Sequence, residues 1–322
     1  MSTYYQIFGG KVNAVSADPS DPVKGQVWFN TTSAAMKYQG FSAAAWASGG
    51  NMGTARRQLS GTGTQTAGLA MGGETTLDTG LTEEYDGTSW TAGGTMGTAR
   101  RAPGPAGTQT SALAAGGGPP ATNVTEEYDG TSWTSGGSLA TTRYGMAGCG
   151  TQTSAAAFGG FTPANTNTAA TEEYDGTSWT AGGNMGTARH LLGGTGTQTS
   201  ALAFGGYVGP SNTAATEEYD GTSWTGGGNL NTSRQELAVG GAGTQTAALG
   251  FGGLTTTVTA ATEAYNGTSW SNETSMSTAR KLLAGAGTQP AALGFGGYAP
   301  GNSNATEEFT GGGETTKTVT AS

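Results

Sequence analysis

The residues in this chain that could carry chemistry are paired carboxylates, aspartates set before glycine, one histidine, one cysteine and a regularly spaced set of arginines. The pairs include Glu83-Glu84, Glu126-Glu127, Glu172-Glu173 and Glu217-Glu218. Two neighbouring carboxylates are the equipment of glycosidic acid–base work. In an extended segment, however, adjacent side chains point to opposite faces, and a pair that recurs in copy after copy reads as solvated or ion-paired. Asp86, Asp129, Asp175 and Asp220 each precede glycine. Such carboxylates can hold calcium with nearby carbonyls, but the turn itself calls for Asp before Gly, and Asn266 replaces it without loss of turn chemistry. His190 stands alone, so no multi-histidine copper site can form. It fills the slot of Arg57 and Arg101 and reads as drift between copies. Cys149 is the sole cysteine and excludes an intrachain disulfide. It occupies a slot held elsewhere by Thr62, Thr195 or Ala286, which predicts a small buried residue. The expectation is a chain with no catalytic residue, no metal and no cofactor.

The bulk numbers narrow the class. The 322 residues are compatible with two domains or one long all-β unit. Glycine reaches 60 residues against 10 prolines, without the Gly-X-Y period of collagen. Only 11% of residues are charged, and the seven tryptophans and eleven tyrosines argue against a disordered chain. A net charge of −9, with no basic run longer than two, gives a nucleic-acid partner no electrostatic support. No apolar run approaches the ~20 residues of a bilayer span, so no membrane insertion is expected. The opening MSTYYQIFGGKVNAV lacks a basic stretch followed by an apolar core. That fits synthesis in a cytoplasm, including a host cytoplasm in which a virion is assembled.

The elements that position these residues are repeats. EEYDGTSW occurs at Glu83–Trp90, Glu126–Trp133, Glu172–Trp179 and Glu217–Trp224, and a drifted EAYNGTSW at Glu263–Trp270. Trp46 heads one further copy upstream. Each unit reads as four short strands: a Gly/Ala/Leu stretch, a segment such as TQTAGLAMGG, then TEEY, an Asp-Gly turn and TSW. Asp-Gly between strand-like runs predicts a type I′ hairpin with positive φ at both positions. Glycine at this density disfavours helix. Four strands per 40–50 residues predicts an all-β propeller. Counting strands gives seven four-stranded blades over a single domain, 1–322. Residues 1–50 form a closing blade or attachment segment, 51–309 the repeats and 310–322 a closing strand. The alternative count is six. The repeated tryptophan should fill the gap between neighbouring sheets. Arg56, Arg100, Arg143, Arg189, Arg234 and Arg280 should pair with Glu84, Glu127, Glu173 and Glu218.

The order Gly-Gly, Tyr-Asp, Trp, Met-x-x-x-Arg resembles the kelch repeat over about Trp46 to Phe309, with a shorter stretch between Tyr-Asp and Trp than kelch repeats carry. The glycine- and threonine-rich copies, with the opening VKGQVWFNTTSAAMKYQG, are similar to virion structural proteins of bacteriophages, marine ones especially. That resemblance implies a non-enzymatic protein on a tail or capsid surface, present in several copies, with other virion proteins and a host-surface glycan as partners. The alternative is a cellular or secreted kelch-type interaction module. Sialidase chemistry is disfavoured because DGTSW lacks the Ser-x-Asp-x-Gly spacing and the arginines repeat equivalently.

The copies differ mainly between the second and third strands: Glu74–Leu81, Gly118–Val124, Phe161–Ala170, Tyr207–Ala215, Leu254–Ala261 and Tyr298–Ala305. In a propeller these connections emerge on one face, and a variable rim on a fixed scaffold is how a binding surface is built. Phe161, Tyr207 and Tyr298 are candidate sugar-stacking residues. Asn165, Asn167, Asn212 and Asn302 are candidate hydrogen-bonding groups.

Overall fold

Each copy of the repeat folds as an antiparallel meander. In the first, Ser60–Thr64 pairs with Ala67–Met71, that strand with Thr82–Tyr85, and that with Trp90–Ala92. The computed structural model describes residues 3–7, 10–23, 25–240 and 242–319. Among these the chain is all-β, with seven sheets and no helix. Blades two to five begin with the strands Gly104–Thr108, Ala147–Thr151, Gly193–Thr197 and Ala242–Thr244. In the sixth, Ala284–Thr288, Ala291–Phe295 and Thr306–Thr310 are completed by Ala45–Ser48 as the fourth strand. The outer strand of the last blade thus comes from the other end of the repeat region.

Small residues line the axis because the inner strands crowd there. A Cβ added to Gly148 would lie 2.5 Å from the carbonyl oxygen of Pro105 in the preceding blade. The ring closes on itself through backbone hydrogen bonds. The amide of Gln58 donates to Leu282, Leu282 to Glu236, Glu236 to Leu191, Leu191 to Gly145, Gly145 to Ala102, and Ala102 back to Gln58, at 2.6–3.1 Å. All six residues have positive φ, between 49° and 62°. Five are not glycine, so each costs on the order of 1 kcal/mol of backbone strain. The closed cycle of hydrogen bonds offsets that strain.

The seven sheets match the number read from the sequence, but they are not alike. Six are four-stranded and make up the ring, which is the alternative count. The seventh has five strands, in the order Thr3–Ile7, Gly10–Val15, Val27–Asn30, Ala35–Ser42 and Gly313–Thr318. It belongs to a second compact unit of residues 1–45 and 311–322, apart from the ring unit Trp46–Thr310. Its Gly10–Val15 and Val27–Asn30 strands run parallel. Within the 310–322 segment expected to form a closing strand, the strand is Gly313–Thr318, and residues 320–322 lie outside the described residues. Inside this unit the Asp18 carboxylate accepts from Trp28 Nε1 (3.0 Å), Asn30 Nδ2 (2.7 Å) and Lys37 Nζ (2.7 Å). Those donors, the Lys37 ammonium foremost, pull its pKa down to about 2.

The Asp-Gly turns depart from the type I′ expectation. Tyr85 pairs with Trp90, so the loop holds four residues, and only Gly87 has positive φ (92°). The Asp86 carboxylate takes the place of a second left-handed residue. It accepts the amides of Thr88 (2.8 Å) and Ser89 (2.7 Å) and the Ser89 hydroxyl (3.1 Å). These bonds favour the ionised form and hold its pKa at about 2. A depressed carboxyl pKa stabilises the fold above the ordinary value of 3.8, and that stabilisation is lost as pH falls towards 2. In the fifth blade Asn266 accepts the matching amides at 3.0 and 2.9 Å without a charge. Replacing Asp86, Asp129, Asp175 and Asp220 by Asn is therefore expected to lower the melting temperature slightly at pH 7 and by less at pH 2. The melting curve between pH 4 and 2 becomes flatter than that of the parent. A decline as steep as the parent's would remove the turns from the acid response.

Candidate functional site

The repeated polar side chains are consumed by contacts between blades. Each tryptophan of the ring donates its Nε1 to the threonine that opens the third strand of the preceding blade: Trp133 to Thr82, Trp179 to Thr125, Trp224 to Thr171, Trp270 to Thr216 and Trp90 to Thr306, all at 2.9 Å, and Trp46 to Thr262 at 3.1 Å. Each glutamine of the first hairpin reaches back in the same way. Gln109 donates to the carbonyls of Gly68 (3.1 Å) and Tyr85 (2.7 Å), and Gln65, Gln152, Gln198, Gln245 and Gln289 repeat the pattern.

TEEY alternates as its strand geometry requires. Thr82 and Glu84 face the following blade, where Glu84 accepts from Tyr128 Oη at 2.5 Å. Glu83 and Tyr85 face the other way, and Tyr85 donates to Glu308 at 2.6 Å. Burial, then the Glu84 carboxylate, pushes the Tyr128 hydroxyl up to about 12. The arginine pairing expected from the sequence is corrected by one residue. Arg56, Arg100, Arg143, Arg189, Arg234 and Arg280 pair with Glu83, Glu126, Glu172, Glu217, Glu263 and Glu307, the first glutamate of each doublet and, in the fifth blade, the single glutamate before Ala264. The second glutamate lies on the opposite face, with the tyrosine of the next blade. Every one of these arginines is buried.

What remains unrepeated gathers on the face where the second strand passes to the third. The slot after each buried arginine holds Arg57, Arg101, Tyr144, His190, Gln235 and Lys281. Five of these bridge to the first residue of the connection: Arg57 to Glu74, Tyr144 to Phe161, His190 to Tyr207, Gln235 to Leu254 and Lys281 to Tyr298. One sector of the face is charged. Glu74 pairs with Arg57 at 2.9 Å and also with Arg101, Lys281 pairs with Glu236 at 2.9 Å, and the Arg57 guanidinium lies 5.3 Å from the Tyr298 ring centroid. The opposite sector is aromatic. Phe161 packs on Tyr144 (5.8 Å) and on His190 (4.8 Å), and His190 on Tyr207 (5.5 Å). Burial there pulls the His190 imidazole down to about 4.

Of the predicted site residues, Phe161 and Asn165 come together at a cleft of about 290 Å³. The cleft is completed by Pro119, Pro120, Ala121, Tyr144, Thr162 and Pro163. Tyr207 belongs to the same aromatic sector through His190. Tyr298 sits in the charged sector. Three asparagines have their amides engaged across the rim. Asn167 Nδ2 donates to the Tyr207 carbonyl (3.0 Å), Asn212 to Leu254 (2.9 Å), and Asn302 to Thr75 (2.8 Å). Each ties its connection to the next blade's. Tyr144 and the prolines were missed as site residues. The signal was present for Tyr144, because its slot differs in nearly every copy while the arginine before it never changes.

The axis holds a second, smaller cavity of about 120 Å³, lined by inner-strand residues such as Thr62, Ala106, Cys149 and Thr195. Burial pushes the Cys149 thiol up to about 12, and its Sγ donates to the Thr197 carbonyl at 3.3 Å. Among the described residues no three His, Cys, Asp or Glu side chains converge in a way that could hold a metal ion. No protein-family model matches this chain, and no curated protein matches it. The fold defines a six-bladed all-β ring, and the site defines an aromatic cleft on its rim.

Proposed function

We propose that this chain is a non-enzymatic structural protein of a phage virion, displayed in several copies on a tail or capsid surface, where it serves assembly or attachment to a host-surface glycan. The observation that carries this reading is the division of labour between positions. The repeated tyrosine, tryptophan, arginine and glutamine side chains are engaged in hydrogen bonds that hold the ring together. The residues that vary from copy to copy lie on one rim, and an aromatic cleft lies among them. A scaffold of this kind suits multivalent, individually weak contact, in which copy number on a particle multiplies a modest single-site affinity. The virion setting is supported by the glycine- and threonine-rich copies and the N-terminal pattern described above.

The test is to isolate particles from cells that carry the gene and to raise antibodies against the connection 161–170. The chain should co-purify with particles in fixed stoichiometry, and the antibodies should label the particle surface and slow adsorption to the host. Recovery of the chain only in a soluble complex with a cellular protein would replace this reading with that of an interaction module.

A further inference from the structure

We propose that the cleft between the second and third blades is a binding site for one uncharged pyranose residue, stacked against Phe161 and Tyr144. This rests on the attachment reading above and names the ligand class of its rim. Three observations converge on it. The lining is apolar and ring-shaped, with Pro119, Pro120 and Pro163 around the two aromatic side chains. Such surfaces complement the C–H face of a sugar. The polar groups are few and neutral: the Asn165 amide, the Thr162 hydroxyl and the Tyr144 phenol. No charged residue lines the cleft, while the charges of this face are paired elsewhere, as Arg101 is with Glu74 and Asp78. A carboxylated or phosphorylated sugar would enter without a counter-charge. The volume of about 290 Å³ lies at the foot of the ~300–1,000 Å³ range of small-molecule sites, which suits one ring.

The site is also built before any ligand arrives. The Phe161 amide donates to Tyr144 (2.8 Å) and the Tyr144 amide returns the bond (3.1 Å). The loop beyond is closed by the Thr162 amide on the Thr166 carbonyl (3.0 Å) and by the Asn165 amide on the Thr162 carbonyl (3.0 Å). Asn165 adopts φ of 58°, which fixes the direction of its exposed side chain. With these backbone groups already engaged, the cleft offers no free strand edge along which a peptide could add itself. A sugar needs none. A site of this size holds a single sugar with an affinity on the order of millimolar, which multiple copies on a surface would raise.

The test is saturation-transfer NMR on the whole chain with the methyl glycosides of galactose, glucose and N-acetylglucosamine. N-acetylneuraminic acid, methyl glucuronide and a synthetic oligoproline serve as comparators. At least one uncharged glycoside should receive saturation, and the charged sugars should not. Phe161→Ala should lower the apparent affinity at least tenfold. Asn165→Gly, which keeps the left-handed backbone, should lower it several-fold. Leu77→Ala, on the exposed connection of the first blade, should leave it unchanged. The proposal is overturned if no uncharged glycoside binds, if Asn165→Gly binds as the parent does, or if oligoproline displaces the glycosides. None of these outcomes touches particle labelling, so the sugar site and the virion reading can fail separately.

Discussion

Arg143→Ala is expected to cost about 3–5 kcal/mol of stability, enough to lower the melting temperature by on the order of 10 °C. The guanidinium is completely enclosed and serves four acceptors: the carbonyls of Gly159 (2.8 Å), Ala170 (2.6 Å) and Ala157 (3.2 Å), and Glu172 Oε1 (3.1 Å). Desolvation pulls its pKa down to about 10, so it remains charged at neutral pH. Truncation leaves the Glu172 carboxylate buried without its counter-ion. That carboxylate cannot swing away to water, because its Oε2 is held by the amide of Ala140 at 2.6 Å. Three carbonyls lose a donor at the same time. For this reason Arg143→Met combined with Glu172→Leu is expected to recover only part of the loss, although swapping a buried ion pair for apolar groups is often neutral. Arg57→Ala is the comparison. Its partner Glu74 keeps Arg101, its own side chain is 32% exposed, and the expected cost is about 0–1 kcal/mol. Urea unfolding of the variants gives the answer. Equal costs at the two positions would show that the buried ladder of arginines adds nothing beyond a surface pair.

The parts of this architecture that repeat were legible in the sequence, and those that depend on where the chain closes were not. The spacing of Trp90, Trp133, Trp179, Trp224 and Trp270 and the alternation within TEEY locate the blades and assign each side chain to a face. The partner of Trp46's strand could not be read in the same way. Ala45–Ser48 pairs with Thr306–Thr310 at the far end of the repeats, and such a pairing leaves no local signature. The doublet Glu83-Glu84 reads equally well with either residue beside the arginine, and only the direction of the neighbouring blade decides. At the rim, Phe161 and Asn165 stood out because their connection varies. The asparagines that staple one connection to the next vary in just the same way, so variability by itself does not separate a ligand group from a tie.

The chain break explains a set of substitutions that otherwise look unrelated. At five junctions a tyrosine hydroxyl meets the second glutamate of the preceding blade. At the junction of blades five and six both partners are absent, because Ala264 replaces the glutamate and Phe309 the tyrosine. The glycine pair that follows each outer tryptophan is also missing there, its places taken by Glu273 and Thr274. Elsewhere those glycines are required by close approach. A Cβ at Gly94 would lie 2.2 Å from the Thr131 carbonyl oxygen in the turn of the next blade. The sixth blade has no such turn, since its outer strand enters from the N-terminal side. Bond, turn and glycines are therefore lost together at a single interface.

Trp270→Ala is expected to destabilise the ring by about 3–5 kcal/mol, against about 1–2 kcal/mol for Trp270→Phe. Trp270 is only 5% exposed and lies between blades four and five, with Phe204 on one side (centroids 5.0 Å) and Tyr265 on the other (5.0 Å). Its Nε1 donates to the buried Thr216 hydroxyl at 2.9 Å. Alanine removes the indole and opens a cavity beside Leu202, Leu230 and Leu237, which the rigid backbone of two adjoining sheets cannot collapse to fill. It also leaves the Thr216 hydroxyl without its donor. Phenylalanine keeps most of the apolar contact and gives up the hydrogen bond, so the gap between the two variants separates packing from polarity. Adding Thr216→Val to Trp270→Phe removes the orphaned hydroxyl and should return part of the smaller loss. Denaturant titration of the three variants measures both contributions. A Trp270→Ala chain as stable as the parent would mean that the tryptophans decorate the blades rather than hold them together.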